Sequence, residues 1–286
     1  MSLKLMVTGC NGQLGRAIYR LTKDDDAYEY IGSDVPELDI TDSEALIGYV
    51  RRIKPDVIIN CAAATNVDGC EKEEDTAFKI NALGPRNLAV AATEVDAKLV
   101  HISTDYVFPG DGNIPRRETD PTGPKSAYGR TKAAGEEFVK QFARKWFIIR
   151  TAWLYGEGKN FVRTMLKLSE THDTISVVDD QLGNPTSALE LARAVLKLVP
   201  TQCYGLYHGT CEGICSWADL TEEIFRIKGI GTKVERISSS EYKRRNPASA
   251  DRPSFSALEK MMFKLNLDYS FKDWKEALEE YLKEDQ

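Results

Sequence analysis

Histidine is scarce in this chain: His101, His172 and His208 are all it holds, and no G-x-S-x-G segment occurs. A Ser-His-Asp hydrolase needs a serine exposed on that strand-to-helix elbow with a histidine beside it, so hydrolase chemistry is disfavoured. Cysteine is thinly spread as well. Cys10, Cys61, Cys70, Cys203, Cys211 and Cys215 are scattered over 286 residues, far below the density of a disulfide scaffold, and read as reduced thiols. The tightest group, HGTCEGIC, brings His208, Cys211 and Cys215 together in sequence. A tetrahedral site needs a fourth ligand at matching spacing, which is missing, so no metal is expected there. Positive charge is in deficit: 38 Lys and Arg against 44 Asp and Glu leave a formal net charge of −6. A phosphate backbone needs a basic face, and the short KRR at Lys243 to Arg245 does not make one, so no nucleic-acid partner is expected. Long apolar runs are missing too, none approaching the roughly 18 to 20 residues that cross a bilayer. The N-terminal MSLKLMVTG enters a strand pattern without a signal-peptide layout, and a cytoplasmic protein with no membrane partner is expected.

What is present is an ordinary core-forming composition, 42% hydrophobic, patterned for an α/β fold. LKLMVTG, YEYIGSD and DVIINCAAA are β-type runs that alternate with the helical patterns QLGRAIYRLTK and SEALIGYVRRIK. Strand, helix and strand at this spacing predict right-handed βαβ units and a doubly wound parallel sheet. KLVHIST and WFIIRTAWLYG continue it, their near-continuous apolarity suiting strands buried on both faces. The sheet domain is expected over residues 1–156. Residues 157–286 are expected to form mainly a smaller C-terminal lobe over the sheet's carboxyl edge, with about 174–200 returning to the sheet: TISVVDDQ as a strand and Ser187 to Val199 as a helix along it. Helices are also expected at Phe161 to Glu170, Ser216 to Arg226 and Lys272 to Lys283, with GLYHGT a short strand between them.

Three local signals converge at one sheet edge. The first strand runs into GCNGQLG, with Gly9, Gly12 and Gly15 opening a helix; such a turn lets the backbone approach a pyrophosphate, and the helix N-terminus offers oriented N–H groups. Asp34 closes the second strand, 19 residues after Gly15, where a carboxylate can accept hydrogen bonds from both adenosine ribose hydroxyls. The fourth strand ends in HISTDYVF, bringing Ser103 and Thr104 to the carboxyl edge. The next helix begins with SAYGRTK, whose Tyr128 and Lys132 fall one turn apart on one face.

A glycine-rich dinucleotide turn, a strand-end threonine and a Tyr/Lys pair together resemble the extended short-chain dehydrogenase/reductase superfamily. That resemblance implies a Rossmann sheet, Tyr128 as catalytic acid or base, Lys132 between it and the nicotinamide ribose, and Thr104 as partner of the substrate carbonyl. An ammonium beside a phenol stabilises phenolate, so Lys132 is expected to bring Tyr128 closer to working pH. The resemblance narrows to the dTDP-4-dehydrorhamnose reductase family over almost the whole chain, through GCNGQLG, NCAAATNVDGCE, KINALG, STDYVF, YGRTK, RTAWLYG, DDQLGNPT and ADRPSFSAL. It implies reduction of the 4-keto group of a dTDP-linked 6-deoxyhexose to dTDP-L-rhamnose. Carried over position by position, it implies cofactor contacts at Asn11, Gln13, Leu14, Asp39, Ile40, Asn81 and Ser103, besides the glycines, Asp34, Tyr128 and Lys132. Ala62, Ala63, Ala64 and Thr65 form the expected wall against cofactor and sugar. Val67, Asp105, Tyr106 and Trp153 are expected around the sugar, and Asn160, Phe161, Gln181 and Arg252 on the nucleotide side.

Well-known members join two subunits through magnesium held by glutamates, one just after the glycine turn. Here Arg16, Ala17 and Ile18 follow it; although Glu190 matches another such ligand, a metal bridge is doubtful and a monomer or a homodimer remains open. NADH is expected to be preferred, with NADPH possible, because a 2′-phosphate would face Asp34 and VPELD supplies no Arg or Lys to neutralise it. Two rival readings stand beside the reductase. One is a sister nucleotide-sugar dehydratase or epimerase; dehydratases carry an acidic pair after the threonine, whereas Thr104 is followed by Asp105 and then Tyr106. The other is a regulatory partner resembling the methionine adenosyltransferase β subunit, which the intact Thr104, Tyr128 and Lys132 disfavour.

Overall fold

The computed structural model describes residues 2–283. The first strand, β1 (Leu3–Thr8), is followed by α1 (Gln13–Thr22), β2 (Tyr28–Ser33), α2 (Ser43–Ile53), β3 (Val57–Asn60), β4 (Lys98–Thr104) and β5 (Trp146–Thr151). These strands and a sixth, Gly205–His208, form one sheet in the order β2-β1-β3-β4-β5-sixth, every neighbouring pair parallel. The order reverses between β1 and β3, and a ligand crevice opens at such a switch point, outside the carboxyl ends of the strands.

Strand alternation gives each face its own core. Leu5, Val7, Ile59, Phe147 and Ile149 pack with α1 and the helix Ala188–Leu198. Met6, Ile58, Leu99 and Ile148 point the other way, against α2 and the helices Gly84–Glu94 and Ala127–Phe142. At about 25 cal/mol per Å² of apolar surface, these two layers supply most of the favourable term in folding this domain. A third cluster, built around Tyr155, Val162, Ile224, Phe225 and Trp274, holds the later lobe together and buries Cys211 and Cys215 as core side chains.

Two expected placements change. GLYHGT was assigned to the lobe but supplies the sixth strand of the main sheet, with Gly205 opposite Phe147 and His208 opposite Arg150. The reason lies in β5, whose Phe147, Ile148 and Ile149 are fully buried and so cannot sit at an open edge. Within 174–200 the strand Thr174–Val178 pairs with Lys233–Ile237 instead of the main sheet. Its exposed Thr174 and buried Ile175 give it one wet face, unlike the strands of the parallel sheet. Only the helix Ala188–Leu198 returns, packing on α1. The lobe helices lie at Phe161–Ser169, Trp217–Lys228 and Trp274–Lys283, within two residues of expectation. Among the described residues, no helix is long and apolar enough to cross a membrane.

Candidate active site

The three turn glycines are required for different reasons. Gly9 has φ of +64° and a Cβ there would come within 2.7 Å of the Ala62 nitrogen, while a Cβ on Gly15 would come within 2.6 Å of the Cys10 Cα. Both are packing glycines that hold β1, the turn and the end of β3 in close contact. Gly12 differs: a Cβ there would meet only the Gly9 carbonyl, at 3.2 Å. It caps α1 with no side chain of its own on the first N–H groups, which leaves that positive end open to an anion. The cradle fits a dinucleotide pyrophosphate. Asp34 is tied to it, its carboxylate accepting from the Asn11 backbone N–H at 3.1 Å and the Val35 N–H at 2.9 Å.

The loop after β3 is clamped from behind. Asn60 Oδ1 accepts from the Thr8 hydroxyl at 2.8 Å and from Ala62 N–H at 3.2 Å. Asn81 Oδ1 accepts from Ala64 N–H at 2.8 Å, and its amide donates to the Ala64 carbonyl at 3.0 Å. The wall Ala62–Ala63–Ala64–Thr65 therefore hangs between the glycine turn and Asn81. Asn81 acts as a strut of this wall, its side chain filled by these bonds and a third to Thr131 at 3.2 Å.

Thr104, at the end of β4, and Tyr128 and Lys132, on the helix Ala127–Phe142, meet at this edge. Ser126 caps the helix by accepting from Gly129 N–H at 3.1 Å. Gly129 has a purpose the sequence hid: a Cβ there would lie 2.2 Å from the Tyr106 carbonyl, so only glycine lets the helix dock on the turn Asp105–Val107 that follows β4. The docking brings the Thr104 hydroxyl to the Tyr128 phenol and sets the Tyr106 and Tyr128 rings edge to face at 5.4 Å. Burial pushes the Tyr128 phenol well above its ordinary value, with the Thr104 hydrogen bond pulling the other way. The expected lowering by Lys132 is corrected here. The Lys132 ammonium, 2% exposed, donates to the Ile102 carbonyl at 2.5 Å, and burial brings Lys132 itself down to about 8. Burial thus keeps on the phenol the proton that a reduction requires, while weakening the drive to release it.

Strand alternation separates Ser103 from Thr104. The Ser103 hydroxyl points into the core and donates to Glu136 Oε1 at 2.6 Å, the carboxylate that also holds Arg150 through bonds of 2.9 and 2.7 Å. Leu14 and Ile40 likewise turn their side chains into the two cores, where, like that of Ser103, they support the site. Asp39, exposed, caps its own turn by accepting from Thr41 N–H at 2.8 Å. Gln13 lines a separate cavity of about 260 Å³ beside Arg16, Gly156 and Tyr281.

The later lobe holds a cavity of about 790 Å³, lined by Phe161, Gln181, Trp217, Ser239, Tyr242 and Arg252 among others. Gln181 donates to Ser239 at 2.9 Å. Arg252 donates to the Tyr106 hydroxyl at 3.4 Å and pairs with Asp68 at 3.5 Å, linking the cavity to the turn after β4. Trp153 holds φ of +46°, strained for so large a side chain, and stacks on Trp217 with centroids 3.5 Å apart. Asn160 is buried and caps the helix Phe161–Ser169 through Arg163 N–H at 3.0 Å, and it donates to the Gly156 carbonyl at 2.6 Å. Thr65 lies exposed, and Val67 starts the short helix Val67–Lys72 half-buried. Trp217, Ser239 and Tyr242 escaped the sequence reading, because each sits far along the chain from the motifs it faces.

The residues do not fit a metal bridge. Glu190 is buried and shared by Arg193 and, at 3.7 Å, by the Lys272 ammonium. Glu280 is taken by the same two cations, at 2.9 and 2.6 Å, and this pairing holds it down to about 2. Ala17 offers no ligand, and among the described residues no group of three or more His, Cys, Asp or Glu is arranged to hold a metal ion.

A doubly wound parallel sheet, an open glycine turn at the first strand and a Thr/Tyr/Lys set at the carboxyl edge beside a large cavity define a nicotinamide-dependent oxidoreductase of the extended short-chain type. The comparisons with known proteins agree. Residues 3–286 match the family model described as RmlD substrate binding domain. The chain is 41% identical to the spore coat polysaccharide biosynthesis protein SpsK of Bacillus subtilis, over 98% of this chain and 97% of that one. A dTDP-4-dehydrorhamnose reductase from Clostridium acetobutylicum superposes with a TM-score of 0.96 at 49% identity, covering 99% of this chain and 100% of that one. The Bacillus anthracis dTDP-4-dehydrorhamnose reductase in complex with NADP gives 0.95 at 41% identity, with coverage of 99% and 100%. This chain belongs to the dTDP-4-dehydrorhamnose reductase family.

Proposed function

We propose that this protein reduces the 4-keto group of dTDP-4-dehydro-6-deoxy-L-mannose with NAD(P)H, giving dTDP-L-rhamnose. The observation that carries the reading is the meeting of Thr104, Tyr128 and Lys132 at the carboxyl edge of the sheet, in a chain of this family. When bound, the cofactor supplies hydride to the sugar's C4. The protein's own part is to hold and to protonate. The N-terminus of α1 at Gly12, with Asn11, would hold the pyrophosphate, and Asp34 the adenosine ribose. Tyr128, kept protonated by burial, gives its proton to O4 as charge develops there, and such a positioned acid contributes roughly 10² to 10⁴ in rate. Lys132 stands one turn along the same helix to hold the nicotinamide ribose. Residues 1–156 carry the cofactor and 157–286 mainly the sugar nucleotide, whose nucleotide side would face Phe161, Gln181 and Arg252 and whose sugar would face Trp153, Val67 and Thr65. NADH is the preferred reductant because Asp34 opposes a 2′-phosphate.

The test is anaerobic incubation of the purified protein with NADH or NADPH and the dTDP-4-keto sugar, following cofactor oxidation and identifying the sugar by NMR. Formation of dTDP-L-rhamnose with one cofactor oxidised per sugar supports the reading. A product with the keto group retained would move the protein to the epimerases or dehydratases, and no turnover at all would favour a binding role.

A further inference from the structure

We propose that Asp105 is a positioning residue for the proton transfer: it fixes the direction of the Thr104 hydroxyl, and so decides whether Thr104 accepts a hydrogen bond from the Tyr128 phenol or donates one to it. The inference rests on the reductase reading and adds a control to it. A threonine hydroxyl has one proton and two lone pairs. The Thr104 oxygen lies 2.9 Å from Asp105 Oδ1, to which it donates, and accepts from the Tyr106 backbone N–H at 3.2 Å; its third neighbour is the Tyr128 phenol. An ionised carboxylate can only accept. With Asp105 ionised, the Thr104 proton is therefore committed to it, and the remaining lone pair can only receive the phenol's proton.

That polarity suits the resting site and opposes the end of the reaction. Once Tyr128 has given its proton to the sugar, the phenolate needs donors, and a Thr104 turned toward Asp105 presents it with a lone pair. With a proton on Asp105 the chain reverses: the carboxyl donates to Thr104, the Tyr106 N–H fills the second lone pair, and the Thr104 proton turns to the phenolate. The proton on Asp105 comes from solvent; the reorientation of Thr104 that follows breaks no covalent bond and changes only the hydrogen-bond direction.

Asp105 is placed for such a change. It is 3% exposed, and burial raises it to about 6, against hydrogen bonds from Thr104 and Ser256. The titratable neighbours are Tyr106 on its own turn and Tyr128 on the docked helix, with Cys70 beside the phenol. Arg252 and Asp68 face the Tyr106 phenol. Neither tyrosine titrates near neutrality, since burial raises both.

The experiment reads the coupling in two ways. In the cofactor-bound protein, the ¹³Cζ signal of labelled Tyr128 is followed by NMR from pH 5 to 8, and kcat for sugar reduction is measured at saturation over the same range. Wild type should show a step near pH 6 in both, with kcat higher on the acid side by roughly tenfold or more, the worth of one hydrogen bond to a charged oxygen. Asp105→Asn, whose amide cannot titrate, should lose both steps, and Thr104→Ser should keep them. A Tyr128 signal without a step, or a step that survives in Asp105→Asn, overturns the proposal. So does an Asp105→Asn effect confined to KM, which would make Asp105 a sugar contact only. An NMR step in a protein that never turns the sugar over would keep the coupling and remove the reductase reading.

Discussion

Replacing Glu136 by leucine should be among the most damaging single changes available outside the catalytic set. Its carboxylate and the Arg150 guanidinium are 1% and 2% exposed, joined by two bonds of 2.9 and 2.7 Å, with the guanidinium also lying 4.8 Å over the Phe108 ring. Leucine keeps the volume and leaves a buried cation with no carboxylate, for which about 3 to 5 kcal/mol is the usual loss. Against a total of about 5 to 15 kcal/mol for a folded domain, that is a large fraction. Removing both charges, Glu136→Leu with Arg150→Met, should recover most of it, because paired apolar side chains need no counter-charge. The function should suffer too. Ser103 is bonded to Glu136 and precedes Thr104, and Glu136 is the group that holds the Lys132 ammonium up against burial. Urea denaturation of the four proteins of the cycle, followed by tryptophan fluorescence, measures the coupling. A single-variant loss under about 1 kcal/mol, or a double variant as unstable as the single, would refute the account of this pair.

Gly15→Ala should destabilise by about 1 to 3 kcal/mol through its backbone clash, whereas Gly12→Ala should cost about 1 kcal/mol or less and weaken cofactor binding; urea curves and cofactor titrations separate the two. Lys132, brought down to about 8 by burial, binds its proton less tightly folded than unfolded, where its value is about 10.4. Stability should therefore rise between about pH 8 and 10.5, and Lys132→Met should flatten this rise and gain roughly 3 kcal/mol at pH 7; identical pH slopes would contradict the assignment. The ratio of kcat/KM for NADH over NADPH should exceed one and fall in Asp34→Ala, and a ratio unmoved by the substitution would free Asp34 from reading the ribose.

The parts of this site legible in the sequence were those encoded over short distances. GCNGQLG is a local strand-to-helix turn, and Tyr128 and Lys132 share a face because four residues is about one helical turn. Side-chain direction was less legible. Ser103 and Thr104 are neighbours of the same type, yet one holds Glu136 and the other meets Tyr128, and only the sheet's inner faces decide which. Asn160 reads equally well as a contact or as a cap, and the buried Gly156 carbonyl it satisfies comes from the turn before it. Nothing in the helix itself explains Gly129; its reason is the Tyr106 carbonyl, 23 positions earlier. The same limit explains the GLYHGT strand, whose place depends on β5 needing a neighbour, and Trp217, which lines the cavity and stacks on Trp153 from far along the chain.

The central claim is that Tyr128 delivers the proton while the cofactor reduces C4 of a dTDP-linked sugar. The most direct measurement is single-turnover reduction of dTDP-4-dehydro-6-deoxy-L-mannose by wild type and Tyr128→Phe, each mixed with saturating NADH and quenched for NMR of the sugar. The account predicts dTDP-L-rhamnose from wild type and a rate lower by roughly 10² to 10⁴ in the variant, with cofactor affinity little changed. Reduction at the wild-type rate by Tyr128→Phe, or no dTDP-L-rhamnose from the wild-type protein, would contradict it.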